Sequence, residues 1–154
     1  IEAHKKGRVR AMGVCNFLPE HLENIIAETG VTPAVNQVKL TPYFPQAEQR
    51  AFDKAHGILT QSWSPLGRAS HMLQDPVLKT VAERVGKTIV QVILRWHVQL
   101  GAVPLPKASA APRQTENLNV FDFELSPQDM AQIATLARPD GRTFGQDPAT
   151  YEEF

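Results

Sequence analysis

Three observations predict an α/β fold built on a parallel sheet. Short apolar runs alternate with longer amphipathic segments at a spacing of about 24 residues. The runs are apolar enough to be buried on both faces, as strands of a parallel sheet are. Glycine and proline fall at the joints, where helices end or begin. With 154 residues and 42% hydrophobic content, the chain is expected to form a single domain, residues 1–154, with a core of its own.

Arg8 to Val14 reads as the first strand. Pro19 opens a helix that carries Leu22, Ile25 and Ile26 on one face until Gly30 ends it. Ala34 to Leu40 is the second strand, Gln46 to His56 the next helix with Gly57 at its end, and Ile58 to Trp63 the third strand. Two helices follow, Asp75 to Val85 and Thr88 to Leu100, separated by Gly86. The fourth strand spans Val103 to Leu105 and reads as a short buried strand running on to Pro106. A helix around Pro112 to Val120 follows, then one from Ser126 to Ala137, opened by a serine cap with proline in the first turn. Residues 138–154 are rich in Pro, Gly and Asp and are expected to be a C-terminal loop. The start, Ile1-Glu2-Ala3-His4-Lys5-Lys6, has the pattern of neither a signal peptide nor a capped helix.

Sixteen basic residues balance sixteen acidic ones, so no broad field favours nucleic acid or an anionic membrane. Cys15 is the single cysteine, which excludes an internal disulfide. The sequence has no apolar run near the length of a membrane span. Together these point to the cytoplasm. The five histidines lack metal-ligand spacing, and neither a glycine-rich dinucleotide fingerprint nor a Walker loop occurs.

In parallel α/β folds, ligands sit at the carboxyl ends of the strands. Cys15 and Asn16 follow the first strand, Gln37 lies in the second, Trp63 and Ser64 end the third, and Lys107 follows the fourth. Asn16 and Gln37 can donate and accept at once, which suits a carboxamide, although either can instead satisfy a turn. Trp63 is a flat surface for a heteroaromatic ring. In the turn Ser64-Pro65-Leu66-Gly67, backbone amides can approach a pyrophosphate, and Gly67 permits close contact. Lys107 and Arg113, beside a helix start opened by Pro112, suit a dianionic phosphate, with Glu116 and Asn117 one turn on to meet an attached base. Cys15 reads as a small buried residue rather than a nucleophile, and His97 as a packed or surface histidine rather than a base. No acid–base pair stands out.

These residues bring the chain to a family. Gly13-Val14-Cys15-Asn16-Phe17, Val35-Asn36-Gln37-Val38, Trp63-Ser64-Pro65-Leu66-Gly67, Pro106-Lys107 with Arg113 to Asn117, and Val120-Phe121-Asp122-Phe123-Glu124-Leu125 resemble, in order, the aldo-keto reductases. Tryptophan at 63 is similar to the prokaryotic diketogluconate reductase-type members. The resemblance implies the C-terminal half of a (β/α)8 TIM barrel, with four parallel strands and their surrounding helices. It implies NADPH as cofactor in preference to NADH, and a small aldehyde or ketone as substrate. Asn16 and Gln37 would hold the nicotinamide carboxamide, with Cys15 standing where a serine is usual. Trp63 would stack on the nicotinamide, while Ser64, Leu66 and Gly67 would line the pyrophosphate. Lys107 and Arg113 would grip the 2′-phosphate, with Ser109 displaced by one place because Ala108 follows the lysine. Glu116 and Asn117 would face adenine.

A barrel of this kind needs eight strands and about 250 residues. The family's Asp, Tyr, Lys and His tetrad belongs to the first half, so it is expected upstream of Ile1, with no catalytic residue here. The expected partner is therefore the missing N-terminal half of the barrel, and the chain alone is expected to be inactive. The alternative is a non-catalytic NADP-binding half barrel or a regulatory subunit of reductase ancestry. Of the substrate pocket, only the tail near Phe144 to Tyr151 is expected to come from this chain.

Overall fold

The computed structural model describes residues 1–68, 71–139, 141–142 and 146–151. Four strands, β1 (Gly13–Cys15), β2 (Val35–Lys39), β3 (Leu59–Trp63) and β4 (Val103–Leu105), form one parallel sheet in chain order. The helices are α1 (Glu2–Lys5), α2 (Pro19–Thr29), α3 (Ala47–Ala55), α4 (Pro76–Val85), α5 (Ile89–Gln99), α6 (Ala111–Leu118) and α7 (Pro127–Ala134). The α/β class read from the sequence is the observed one: four parallel strands with surrounding helices.

Helix ends follow local chemistry. Pro19 opens α2 and Gly30 closes it at φ 67°, a left-handed conformation that costs glycine little. The Asp75 carboxylate accepts from Val77 N at the start of α4. Thr88 with Gln91, and Ser126 with Asp129, form reciprocal caps on α5 and α7. Arg84 on α4 pairs with the buried Asp129, tying α4 to α7.

The register sets two layers across the sheet. Cys15, Gln37, Gln61 and Val103 align in one, and Lys39, Trp63 and Leu105 in the next. The alternating residues Asn36, Val38, Thr60 and Ser62 are buried on the opposite, helix-covered face. There Leu40, Met72, Leu78, Val81, Val92, Ile93, Trp96 and Ile133 form the core. Removing that apolar surface from water is the main stabilising term.

Several sequence expectations change. The first strand is only three residues long, and residues 8–12 are not strand, because an outer strand has a ladder partner on one side only. The fourth strand is not buried: Val103 is 39% and Leu105 42% exposed. Among the described residues β4, like β1, has no sheet neighbour on its outer edge, and no helix covers that face. Cys15 is likewise exposed rather than buried, since it ends the other outer strand. The short α1, which carries no buried residue, and a 3-10 turn at His71–Gln74 lack periodic signals and went unread.

His97 is a packed residue, 0% exposed. Its Nδ1 lies 2.7 Å from Ile93 O, and its Nε2 lies 3.1 Å from Ser62 Oγ and 3.0 Å from Leu40 O. Burial, the largest cause, pushes its pKa below the usual 6.5. The folded state therefore holds the ring neutral where the unfolded chain takes up a proton. This stability is present above about pH 6.5 and is lost as pH falls below it. We expect the denaturant midpoint to drop between pH 7 and pH 5.5, and His97→Gln to flatten that slope. An equal slope in both proteins would place the titration elsewhere.

Candidate active site

All four strands deliver their carboxyl ends to the same side, so the residues that follow them meet there. Asn16 follows β1 at φ 57° and Ser64 follows β3 at φ 48°, left-handed values for residues other than glycine. Asn tolerates this region better than most residues. Asn16 is fixed from both sides. Its backbone N donates to Gln37 O at 3.0 Å, and its Oδ1 accepts from Trp63 Nε1 at 2.8 Å. The tryptophan ring is thereby oriented by an amide two strands away. Gln37 Nε2 donates to Gln61 Oε1 at 3.2 Å, both side chains half-buried, which among the described residues leaves Gln37 Oε1 and Gln61 Nε2 with hydrogen-bonding capacity.

Two cavities open along this rim. The first, of about 680 Å³, brings together Ser64, Leu66, Lys107, Arg113, Glu116 and Asn117. These six, chosen from sequence, converge from the turn after β3, the residues after β4, and α6. Ala110, the N-cap of α6, provides no side-chain cap, so the amides of that first turn remain available beside Arg113. Lys107 and Arg113 are both exposed, and among the described residues neither is engaged by a carboxylate. Cations without acidic partners, beside open helix amides, fit a phosphate group. Glu116 is held in place by Thr88, whose hydroxyl donates to its Oε1 at 2.7 Å.

The second cavity, of about 330 Å³, is lined by Cys15, Asn16 and Trp63 together with His21, Lys39 and Arg142. Gln37 lies one layer deeper and does not reach its wall. Gly67 and Ser109 line neither cavity. Gly67 closes its turn by donating to Ser64 O at 2.9 Å, and Ser109 is exposed.

Sequence reasoning missed three contributors. Lys39 ends β2 with only 4% exposure, and its ammonium lies 5.2 Å from the Trp63 ring centroid. Burial first, then the like charge of Arg68, holds its pKa below the ordinary lysine value. The alternation of β2 places Lys39 on the same face as Gln37, a signal available in the sequence. Arg68 joins the larger cavity from a left-handed conformation at φ 54°. Asn36, buried, binds Phe17 O through Nδ2 at 2.9 Å and so fixes the loop that carries Asn16.

Described residues of the tail are anchored to the loop after β2. Arg138 N donates to Tyr43 O at 3.0 Å, and its guanidinium stacks 3.8 Å from the Tyr43 ring centroid. Tyr43 OH in turn donates to Asp75 at 2.7 Å. Arg142, over the Phe44 ring, and Tyr151 then reach the smaller cavity. Phe144, expected near the substrate, lies outside the described residues. Among the described residues, no cluster of His, Cys, Asp or Glu has metal-ligand geometry, and no helix is long and apolar enough to cross a membrane.

Comparison with known proteins places this arrangement. The model of the Aldo/keto reductase family matches residues 1–138. The chain is 52% identical over 154 residues to 2,5-diketo-D-gluconic acid reductase B of Corynebacterium sp. (strain SHS752001), covering 100% of this chain and 55% of that protein. It is 40% identical over 149 residues to methylglyoxal reductase DkgA of Escherichia coli (strain K12), covering 96% of this chain and 54% of that protein. Among solved structures, the Gox0644 D53A mutant in complex with NADPH superposes with a TM-score of 0.92 at 45% identity, over 99% of this chain and 55% of that one. The chain spans about half the length of the curated relatives it matches. Its four strands are half of their TIM barrel.

The Asn16–Trp63 hydrogen bond makes a measurable contribution. Asn16→Ala removes the indole's acceptor and places alanine at positive φ, so it should lower unfolding stability by about 1–2 kcal/mol. Asn16→Gly, which tolerates the backbone, should recover part of that loss. Denaturant titration of the two variants separates the contributions.

Proposed function

The chain belongs to the Aldo/keto reductase family, and we propose that it is the cofactor-holding half of an NADPH-dependent reductase of small aldehydes and ketones. The observation that carries this reading is the convergence of Lys107, Arg113, Glu116 and Asn117 with Ser64 and Leu66 around one cavity. Bound NADPH supplies the hydride. The residues here bind and orient it. Lys107 and Arg113 grip the 2′-phosphate, aided by the open amides of the α6 start. Glu116 and Asn117 face the adenine. Ser64, Leu66 and Gly67 approach the pyrophosphate, with Ser109 at the edge of the phosphate site.

Asn16 and Gln37 hold the nicotinamide carboxamide, and Trp63, kept flat by Asn16, supports the ring. Cys15 replaces an oxygen donor with a weaker sulfur one. Ala108 likewise offers the phosphate no hydroxyl, which costs on the order of 1 kcal/mol. Two cations outweigh that loss, so NADPH remains preferred over NADH.

The acid that protonates the carbonyl oxygen, and the rest of the tetrad, come from the other half of the barrel, which also completes the substrate pocket. The exposed Val103, Leu105 and Leu59 face that half. The cytoplasm is the proposed location.

Two measurements test this. In the whole reductase, replacing Lys107 and Arg113 together by alanine should reduce the preference for NADPH over NADH by at least about tenfold. An unchanged preference would remove the cofactor assignment. The 154-residue chain by itself should give no loss of NADPH absorbance with a generic aldehyde, and measurable reduction would refute the division of labour.

A further inference from the structure

A primary amide carries a donor and an acceptor, and the atom it shows a ligand is decided by what holds the other one. Asn16 and Gln37 are held in opposite senses. An indole N–H can only donate, so the bond from Trp63 Nε1 to Asn16 Oδ1 at 2.8 Å leaves Asn16 with Nδ2, a donor, to offer. Gln37, whose backbone oxygen takes Asn16 N at 3.0 Å, is held the other way. Its Nε2 donates to Gln61 Oε1 at 3.2 Å, which among the described residues leaves its Oε1, an acceptor, to offer. Gln61 faces Gln37 directly across the β2–β3 register. The side chains of Asn16, Gln37, Gln61 and Trp63 are all half-buried, where a polar atom left unmatched by a ligand is costly.

We propose that Gln61 is a positioning residue: by holding Gln37 Nε2 it makes Gln37 present its oxygen, while Trp63 makes Asn16 present its nitrogen, so the pair selects a carboxamide in one orientation. This rests on the reading above, in which Asn16 and Gln37 meet the carboxamide of the nicotinamide. The carboxamide oxygen then accepts from Asn16 Nδ2, and its nitrogen donates to Gln37 Oε1. Rotated by half a turn, the same group would set donor against donor at Asn16 and acceptor against acceptor at Gln37. Holding the carboxamide at both ends also keeps the ring from turning over, since that would carry the group away from both amides. Lys107 and Arg113, at the phosphate end of the cofactor, have no such hold on the ring.

Calorimetric titration of the whole reductase with NADPH and with its reduced 3-acetylpyridine analogue tests this without any turnover. The analogue keeps the oxygen but carries a methyl group in place of the carboxamide nitrogen, so it leaves Gln37 Oε1 unmatched. The unsubstituted protein should bind NADPH at least about fivefold more tightly than the analogue. Gln61→Leu frees Gln37 to turn and offer Nε2 to the acetyl oxygen, so the two affinities should come within about twofold of each other. Gln61→Glu, which keeps an acceptor for Gln37 Nε2, should preserve the gap. A mere loss of packing would weaken both ligands alike and leave their ratio unmoved. A ratio in Gln61→Leu equal to that of the unsubstituted protein would overturn the proposal. So would a ratio at or below one in the unsubstituted protein, even if neither variant folds. Binding of neither ligand would sink the cofactor reading and this proposal together, whereas binding of both with an unmoved ratio sinks this proposal alone.

Discussion

The carboxylate of Asp53 is the point on which the rest of the site depends. It is 0% exposed on α3 and accepts from Gln49 Nε2 at 2.9 Å and from Thr60 Oγ1 at 2.8 Å, while its backbone oxygen takes Ile58 N at 2.8 Å. Asn36 reaches it at 3.5 Å and, with the same amide, binds the backbone of Phe17. One buried anion thus connects α3, β2, β3 and the loop after β1. A buried charge is tolerated only where hydrogen bonds replace its lost hydration. That demand fixes the neighbouring elements relative to one another. The loop that carries Asn16 is set by this node from behind, before it meets Trp63 in front.

The site therefore has a rigid base and a strained rim. Asn16, Ser64 and Arg68 adopt left-handed backbone conformations, each beside a cavity-lining side chain or contributing one itself. Strain of this kind persists only where surrounding structure over-determines it. Here the parallel ladder supplies that determination from below, with Asn16 held by Gln37 O and by the Trp63 indole. The two cavities share the turn that begins at Trp63 and Ser64, so whatever positions the indole also positions one wall of the phosphate-sized space.

Much of this was legible in the sequence because it is written locally. Proline at helix starts, glycine at their ends, the Ser126 cap, and the apolar runs located most elements to within a few residues. The rule that ligands meet strand carboxyl ends, together with the turn after β3 and the helix start opened by Pro112, picked out six residues that line one cavity. What stayed hidden depends on surroundings rather than on residue type. Val103 and Leu105 read as buried, but strand burial is decided by what covers the sheet, and the outer strands lack cover. Cys15 failed for the same reason. Alternation along β2 puts Lys39 on the face of Gln37, but nothing local shows that it is buried beside the Trp63 ring. The network of Asn36 and Asp53 has no local signal, because it joins elements distant along the chain.

The sheet runs in the order the chain is made, each strand pairing with the one before it. The first two pairings join residues only about twenty-odd positions apart and the third about forty, so the loop-closure entropy of each grows slowly. Each strand can dock on its predecessor as soon as its helix has formed. In a closed eight-stranded barrel, joining a strand such as β4 to a first strand far back along the chain has no such local route. Ring closure is then the topologically expensive event in folding, and β4, with prolines at 104 and 106 limiting the donors it offers, is the edge that must wait for it.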